Sequence, residues 1–219
     1  PGSSFGVSWG DLDGDGLLDL FVANGVSGDG SPNHLYLNLG SGEFKDAAQT
    51  AGIEPGRSIG CTLGDYDNDG DLDLYVVNFQ QLNSFYRNDG SDPGESVRFS
   101  DVTKETGTQL PVGSYFAFFL DFDDDGLLDL FCTQMSAFKT VLQSWERGGT
   151  LHNTDRPALY HNQGNGHFAD QTYQAGLGHS YGTTGVGLGD ANSDGRQDIY
   201  LANGGASITR LEPDALLLN

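Results

Sequence analysis

The feature that most constrains this chain is a nine-residue acidic string that occurs four times. The second copy has carboxylates at loop positions 1, 3, 5 and 9 and a glycine at position 6: Asp65, Asp67, Asp69, Asp73 and Gly70. Carboxylates at this density repel one another unless a hard cation neutralises them, and Ca²⁺ takes about six to eight oxygen ligands in flexible geometry. The glycine permits the sharp turn that such a loop needs. The string therefore predicts a calcium-binding loop.

The other three copies repeat the pattern in the same register. Each has a residue at position 7 whose carbonyl can supply a further oxygen and an Asp at position 9 that closes the shell. The predicted ligands are Asp11, Asp13, Asp15, Leu17 and Asp19 in loop one, Asp65, Asp67, Asp69, Asp71 and Asp73 in loop two, Asp121, Asp123, Asp125, Leu127 and Asp129 in loop three, and Asp190, Asn192, Asp194, Arg196 and Asp198 in loop four. We expect up to four Ca²⁺ ions. Loop four should bind most weakly, because an amide replaces one carboxylate and an arginine adds positive charge.

The residues on either side of the loops decide which kind of calcium site this is. An EF-hand needs flanking helices and an acidic residue at position 12. That position is apolar in every copy: Val22, Val76, Cys132 and Leu201. The flanks are short apolar runs rich in β-branched and aromatic residues, which are typical of strands. Each loop is therefore expected to join the two strands of a β-hairpin.

The strings mark a longer repeat, since their first residues fall at 11, 65, 121 and 190. Around each loop we predict a strand A before it, a strand B after it, a strand C that ends in a recurrent Asn, and a strand D after a Gly-rich turn. Strand C is predicted at His34–Asn38, Ser84–Asn88, Ala158–Asn162 and Ala215–Asn219. Four antiparallel strands per repeat are typical of a propeller blade. We predict one β-propeller region over 1–219, with blades at about 1–53, 54–108, 109–177 and 178–219.

The pattern of Phe5-Gly6-Val7, the Asp-rich loop and then Leu20-Phe-Val-Ala-Asn24 resembles FG-GAP repeats, also called VCBS or integrin-alpha-like repeats. The resemblance covers essentially the whole chain. It implies calcium-bearing blades with one ion in each A–B loop, and modules that serve in recognition or as scaffolds. The all-Asp pattern of the family is broken only at Asn192.

The predicted array of blades begins with a complete blade and ends with an incomplete one. The fourth blade has no strand D, and full propellers of the resembled family usually have more blades. We therefore expect a partial arc of a larger propeller, with Asp214–Asn219 paired to another segment. A closed four-bladed propeller is the alternative. Glycines at 6, 60 and 185 suggest an innermost strand crowded around a central axis, whereas the third repeat has Phe116 at that position.

The amino-acid composition limits the classes of partner that this chain can bind. The formal net charge is −21, and fifteen of the 31 acidic residues are predicted to bind Ca²⁺ through their side-chain carboxylates. Nucleic-acid binding needs a basic surface, so no nucleic-acid partner is expected. No apolar run approaches the ~20 residues of a membrane span. Cys61 and Cys132 occupy valine-like strand positions, so buried free thiols are favoured over a disulfide.

One irregularity is a long insertion between strands B and C of the third repeat, Gln134–Pro157. It contains Trp145, Arg147, His152 and Arg156, and Lys139 as well. Such loops often bind partners, but this one could instead pack across a neighbouring blade with its tryptophan as anchor.

Support for catalysis is thin. His161 and His167 could meet His152 at a transition metal, although solvated histidine is commoner at turns and strand edges. The paired carboxylates are accounted for as calcium ligands, and no nucleophile elbow or phosphate-binding loop is present. We expect no enzyme activity from these residues.

Three functions remain open. The first is an extracellular or periplasmic module, stabilised by calcium, that recognises a protein or glycan. The second is a structural subunit that docks into a larger assembly through strand pairing. The third is part of a polysaccharide lyase or hydrolase whose catalytic residues lie elsewhere.

Overall fold

The computed structural model describes residues 4–25, 31–90, 97–135, 146, 156–204 and 214–219. These residues form four antiparallel sheets in succession, three of four strands and one of three. Blade one contains β1 (Gly6–Gly10), β2 (Asp19–Ala23), β3 (His34–Asn38) and β4 (Phe44–Asp46). Blade two contains β5 (Ser58–Gly64), β6 (Asp73–Asn78), β7 (Ser84–Asn88) and β8 (Phe99–Asp101). Blade three contains β9 (Ala117–Leu120), β10 (Asp129–Cys132), β11 (Ala158–Asn162) and β12 (Phe168–Asp170), and blade four contains β13 (Thr183–Gly189), β14 (Asp198–Asn203) and β15 (Ala215–Leu217).

The all-β prediction is confirmed, and so is the order of strands within each sheet. The first three C strands have the predicted bounds, and the fourth ends at Leu217, two residues before its predicted end. One element was not predicted, a four-residue helix α1 (Thr103–Thr106) in the connector after blade two. Gly107 ends it in the left-handed conformation at φ 73°, a cap that glycine adopts without steric cost.

Each acidic loop closes the hairpin between the first two strands of its blade. The last residue of strand A pairs with the first residue of strand B, which is the position-9 aspartate of the loop. These pairs are Gly10 with Asp19, Gly64 with Asp73, Leu120 with Asp129 and Gly189 with Asp198. All four loops therefore lie at the same end of their hairpins.

The hydrophobic core is divided among the three spaces between consecutive blades. One cluster joins blades one and two through Phe21, Leu35 and Val76, and a second joins blades two and three. A third joins Phe131 of blade three to Leu201 of blade four. Strand β6 of blade two is buried at all six positions, whereas β2 of blade one alternates between buried and half-buried residues. Inner blades are thus covered on both faces and blade one on one face, as a partial propeller arc requires.

Both outer faces of the arc carry exposed apolar side chains. On blade one, Val7 is 58% exposed and Trp9 is 55% exposed. On blade four, Leu216 is 51% exposed and Tyr200 is 43% exposed. The first and fourth blades therefore do not cover each other in the part of the chain that the structure describes.

Glycine permits the innermost strands of the first three blades to lie very close together. A Cβ added at Gly6 would lie 2.6 Å from the Cα of Gly60, and one added at Gly60 would lie 2.8 Å from the carbonyl oxygen of Tyr115. At Gly185 a Cβ would make only an ordinary contact, 3.5 Å from Ala202 Cβ. The expected crowding is present at the first two glycines and absent at the third.

Both cysteines are free, as predicted, and Cys132 is fully buried whereas Cys61 is half-buried. Most of the Gln134–Pro157 insertion, including Lys139, Trp145, Arg147 and His152, lies outside the described residues. Arg156 at its end is only 2% exposed and donates to Asp170 Oδ2 at 2.7 Å. Among the residues described, no helix is long and apolar enough to cross a membrane.

Candidate metal sites

The backbone of each acidic loop turns at two positions with left-handed geometry. One is the predicted glycine at position 6, with φ of 85°, 98°, 85° and 92° in chain order. The other is position 4, where Gly14, Asn68, Asp124 and Ser193 have φ of 73°, 58°, 61° and 62°. Glycine, Asn and Asp tolerate this conformation better than other residues. The small or polar residue at position 4 was a local signal that sequence reasoning missed.

The first three loops bring carboxylate oxygens together as predicted. In each, three residues offer ligand atoms that all lie within 4.8 Å of one another. The groups are Asp11, Asp13 and Asp15 in loop one, Asp65, Asp67 and Asp73 in loop two, and Asp121, Asp123 and Asp125 in loop three. Side chains two to eight residues apart in the sequence thus converge in each of these loops. The predicted carbonyl ligands Leu17, Asp71, Leu127 and Arg196 stay predictions.

Loop one shows how well such a group fits a hard cation. Asp11 Oδ2 accepts the N–H of Gly16 at 2.9 Å, which holds the turn closed. Asp11 Oδ1 is buried and has no hydrogen-bond partner. Burial raises the pKa of Asp13, and the charges of Asp19 and Asp15 raise it further. An oxygen-only group that is half-buried, partly unsatisfied and self-repelling matches the donor set of Ca²⁺.

The position-9 aspartates have a second role that the sequence did not reveal. All four are at most 1% exposed. In loop two, Asp73 Oδ2 accepts the N–H of Tyr66 at 3.0 Å, and Oδ1 accepts the N–H of Asn88 at 2.8 Å. Burial raises the pKa of Asp73 to about 8 despite these two donors. A buried carboxylate of this kind is stabilised by any nearby positive charge.

The same two hydrogen bonds recur in every blade. One runs from the N–H of loop position 2, and the other from the N–H of the Asn that ends strand C. In blades one, three and four the acceptors are Asp19, Asp129 and Asp198. The position-9 side chain therefore ties the loop to the end of strand C in its own blade, whether or not it also binds a metal.

Loop four departs from the other three. Its residues from Asp190 to Gln197 are all exposed, and they form no group of three close carboxylates. The side chain of Asn192 donates to Asp194 Oδ2 at 2.8 Å. A hydrogen bond from the backbone N–H of Arg196 lowers the pKa of Asp194, and one from the side-chain amide of Asn192 lowers it further. A donor group among the loop oxygens and a neighbouring guanidinium weaken the attraction for a cation.

Loop three has an imidazole beside its carboxylates. His161 Nδ1 lies 3.2 Å from Asp129 Oδ1 and 3.5 Å from Asp123 Oδ2. These three residues offer ligand atoms that lie within 4.8 Å of one another. Nitrogen with two carboxylates is a donor set that transition divalent ions favour more than Ca²⁺ does. The other blades have Leu37, Arg87 or Leu218 at this strand position.

The proposed meeting of three histidines is not what the structure describes. His167 Nδ1 contacts the carbonyl oxygen of Glu105 at 2.6 Å, whereas His161 contacts loop three. His152 lies outside the described residues. His34 pairs with Asp46 on the outer strands of blade one.

Comparisons with known proteins agree with the repeat structure. The model of the FG-GAP-like repeat matches residues 11–76, 65–132 and 145–201. Human cartilage acidic protein 1 is 27% identical over 227 residues, which is 92% of this chain and 30% of that protein. The mouse protein of the same name is 26% identical over the same share of this chain, and that of Xenopus tropicalis is 28% identical over 131 residues.

This chain spans about a third of the length of the human and mouse relatives it matches. The repeat model covers well over half of the chain, and its matched segments contain all four acidic loops. The chain belongs to the FG-GAP-like repeat family.

Proposed function

We propose that this chain is a calcium-stabilised, extracellular propeller segment that recognises a protein or glycan and has no catalytic role of its own. The observation that carries the proposal is the convergence of three carboxylates in each of loops one to three. In loop one, Asp11 Oδ1 is buried without a hydrogen-bond partner, and a bound cation would compensate for its burial. The ion would hold the hairpin ends of each blade in place and supply no reaction chemistry.

An extracellular setting is supported by the name of the matched relatives and by the usual affinity of extracellular calcium modules. The matched relatives are named as acidic proteins of cartilage. Extracellular calcium modules bind with Kd of roughly 10⁻⁴–10⁻³ M, which suits millimolar Ca²⁺ outside the cell. At such a concentration each filled site would stabilise the folded chain by about 0.4–1.4 kcal/mol, from the linkage between ligand concentration and Kd.

The experiment is thermal unfolding of the chain in excess chelator, in millimolar Ca²⁺ and in millimolar Mg²⁺. We expect the melting temperature to fall on chelation and to return with Ca²⁺ more than with Mg²⁺. Asp67→Asn should reduce the calcium response, because it removes one charge from loop two. Glu43→Gln removes one exposed charge outside the loops and is the matched control. A melting temperature that does not respond to chelator would overturn the calcium part of the proposal.

The loops should also differ in affinity. Loop four, with its exposed ligands and Asn192–Asp194 bond, should release its ion first as chelator is added. Calcium titration calorimetry of the Asp194→Asn variant tests this ranking. Loss of the tightest site in that variant would contradict it.

A second candidate function is a structural subunit that docks into a larger assembly. The exposed apolar faces of blades one and four favour it, because they offer surfaces equivalent to those that pack between inner blades. Binding to a panel of matrix proteins and glycans by the monomeric chain supports recognition. Binding only after assembly with a longer chain supports docking.

An assay for polysaccharide turnover tests the proposal that this chain has no catalytic role. Incubation of the calcium-loaded chain with a polysaccharide panel should yield no new reducing ends and no unsaturated products. Any turnover that survives chain purification and disappears with a single carboxylate variant would replace the recognition proposal with the enzymatic one.

A further inference from the structure

The strand-C asparagines reach across the boundary between blades. Asn88 Nδ2 donates to the carbonyl oxygen of Leu12 at 2.9 Å, although the two residues are 76 positions apart. Asn162 Nδ2 donates in the same way to Tyr66 at 2.7 Å, and Asn219 Nδ2 donates to Phe122. In each case the acceptor is position 2 of the acidic loop in the preceding blade. Asn88 and Asn162 are both 1% exposed.

Position 2 lies between two predicted ligands, at positions 1 and 3 of the loop. A cation that holds those two side chains also fixes the backbone of the residue between them. Its carbonyl is then held in place to accept the hydrogen bond from the next blade. The N–H of the same residue donates to the position-9 aspartate of its own loop, as Leu12 does to Asp19 Oδ2 at 2.8 Å.

These bonds join into one continuous chain. From Asp19 it runs through Leu12 and Asn88 to Asp73, which accepts the Asn88 N–H at 2.8 Å. From Asp73 it continues by the same steps to loop three and then to loop four, through Tyr66, Asn162, Asp129, Phe122, Asn219 and Asp198. The position-9 carboxylates of loops one to three are therefore each connected to the next loop. The bonds are buried or half-buried except the exposed one from Asn219 to Phe122.

We propose that Asn88, Asn162 and Asn219 are positioning residues that couple the loops, so that an ion in one loop raises the affinity of the neighbouring loop. This inference rests on the proposed calcium binding. Coupling between sites is reciprocal, so loop one favours loop two as much as loop two favours loop one. One net hydrogen bond that forms fully only when the acceptor loop is ordered corresponds to roughly a 2- to 12-fold change in affinity.

The chain contains a matched control for this effect. Asn38 makes the same bonds within blade one as Asn88 makes within blade two. Both donate Nδ2 to position 8 of their own loop and accept the N–H of a glycine two residues later. Of these two asparagines, only Asn88 also contacts the loop of a preceding blade within the described residues. Asn38→Ala therefore removes the within-blade bonds, and Asn88→Ala removes those bonds and the coupling.

The experiment uses Tb³⁺ as the probe for the calcium sites. Trp9 lies two residues before loop one, and we expect it to sensitise Tb³⁺ luminescence there under excitation selective for tryptophan. A Trp145→Phe background removes the other tryptophan. Loop-one affinity is measured with loop two intact and with loop two disabled by Asp67→Asn and Asp69→Asn. In the parent and in Asn38→Ala, disabling loop two should weaken loop one by roughly 2- to 12-fold. In Asn88→Ala, it should leave loop-one affinity unchanged.

The outcomes separate the two proposals. Failure of the parent to bind Tb³⁺ or Ca²⁺ overturns the proposed function and this inference together. If the parent binds with the same loop-one affinity whether or not loop two is intact, the coupling alone is overturned. This comparison does not depend on the folding of any asparagine variant. If the coupling between the loops is equal in Asn88→Ala and Asn38→Ala, it arises from other contacts, and the proposed role of Asn88 is overturned. A merely structural asparagine would lower the melting temperature without changing this coupling.

Discussion

The close approach of the innermost strands predicts the effect of single alanine substitutions. Carbon atoms in contact are optimally about 3.5–4.0 Å apart. The Cβ of Gly6→Ala would lie 2.6 Å from Gly60 Cα and 2.9 Å from the carbonyl oxygen of Ile59, so the two strands must separate by about 1 Å. Because the obstructing atoms are backbone, no side chain can rotate away. Gly60→Ala meets the same obstruction at the carbonyl oxygen of Tyr115, at 2.8 Å.

Overpacking of this kind typically costs about 1–3 kcal/mol. For a chain of this length, about 2–4 °C of melting temperature is lost per kcal/mol. We therefore expect Gly6→Ala and Gly60→Ala each to lower the melting temperature by about 2–12 °C. Gly185→Ala should be neutral or stabilising by up to about 1 kcal/mol, because its Cβ fits and alanine restricts the unfolded chain.

The assay is thermal and urea-induced unfolding of the three variants at one protein concentration and a fixed millimolar Ca²⁺ concentration. The urea m-value should stay unchanged, since the surface exposed on unfolding is the same. If Gly6→Ala and Gly60→Ala are as stable as Gly185→Ala, the inner strands do not approach as closely as described, and the account of the arc's inner edge is wrong.

Three further outcomes are expected. Asp170→Asn should lower the free energy of unfolding by about 1.5–3 kcal/mol, because it removes the carboxylate that pairs with buried Arg156. Burial raises the pKa of Asp170, but the hydrogen bond from Arg156 brings it below its ordinary value. The stabilisation is therefore present above the unfolded-state pKa and is lost as the pH falls through the folded-state pKa. Acid titration of the variant should not show this loss. His161→Leu should lower Zn²⁺ affinity by about tenfold in calorimetry and change Ca²⁺ affinity less, because it removes a nitrogen donor from loop three. Trp9→Ser with Val7→Thr should reduce self-association in light scattering at two concentrations, and a parent that is monomeric at both would show that these exposed side chains need no partner.

Local sequence was sufficient to predict the loops and the hairpins. The turn at Gly70 and the short apolar run after it depend on residues within a few positions. For the same reason the strand His34–Asn38 had the predicted bounds. The left-handed conformation of Asn68 is equally local, because asparagine tolerates a positive φ better than most residues.

Other features depend on how one sheet packs against the next. The bond from Asn88 to Leu12 and the contact of His161 with Asp123 join residues far apart in sequence, so no short pattern indicates them. The acidic string predicted that four loops could bind a cation. The structure shows that three of them form close carboxylate groups. Only the packing of the blades decided that a chain of hydrogen bonds connects each loop to the next. The physical reason is that the ligand residues and the turn that gathers them are determined within a loop, whereas the hydrogen bonds between loops depend on the neighbouring blade.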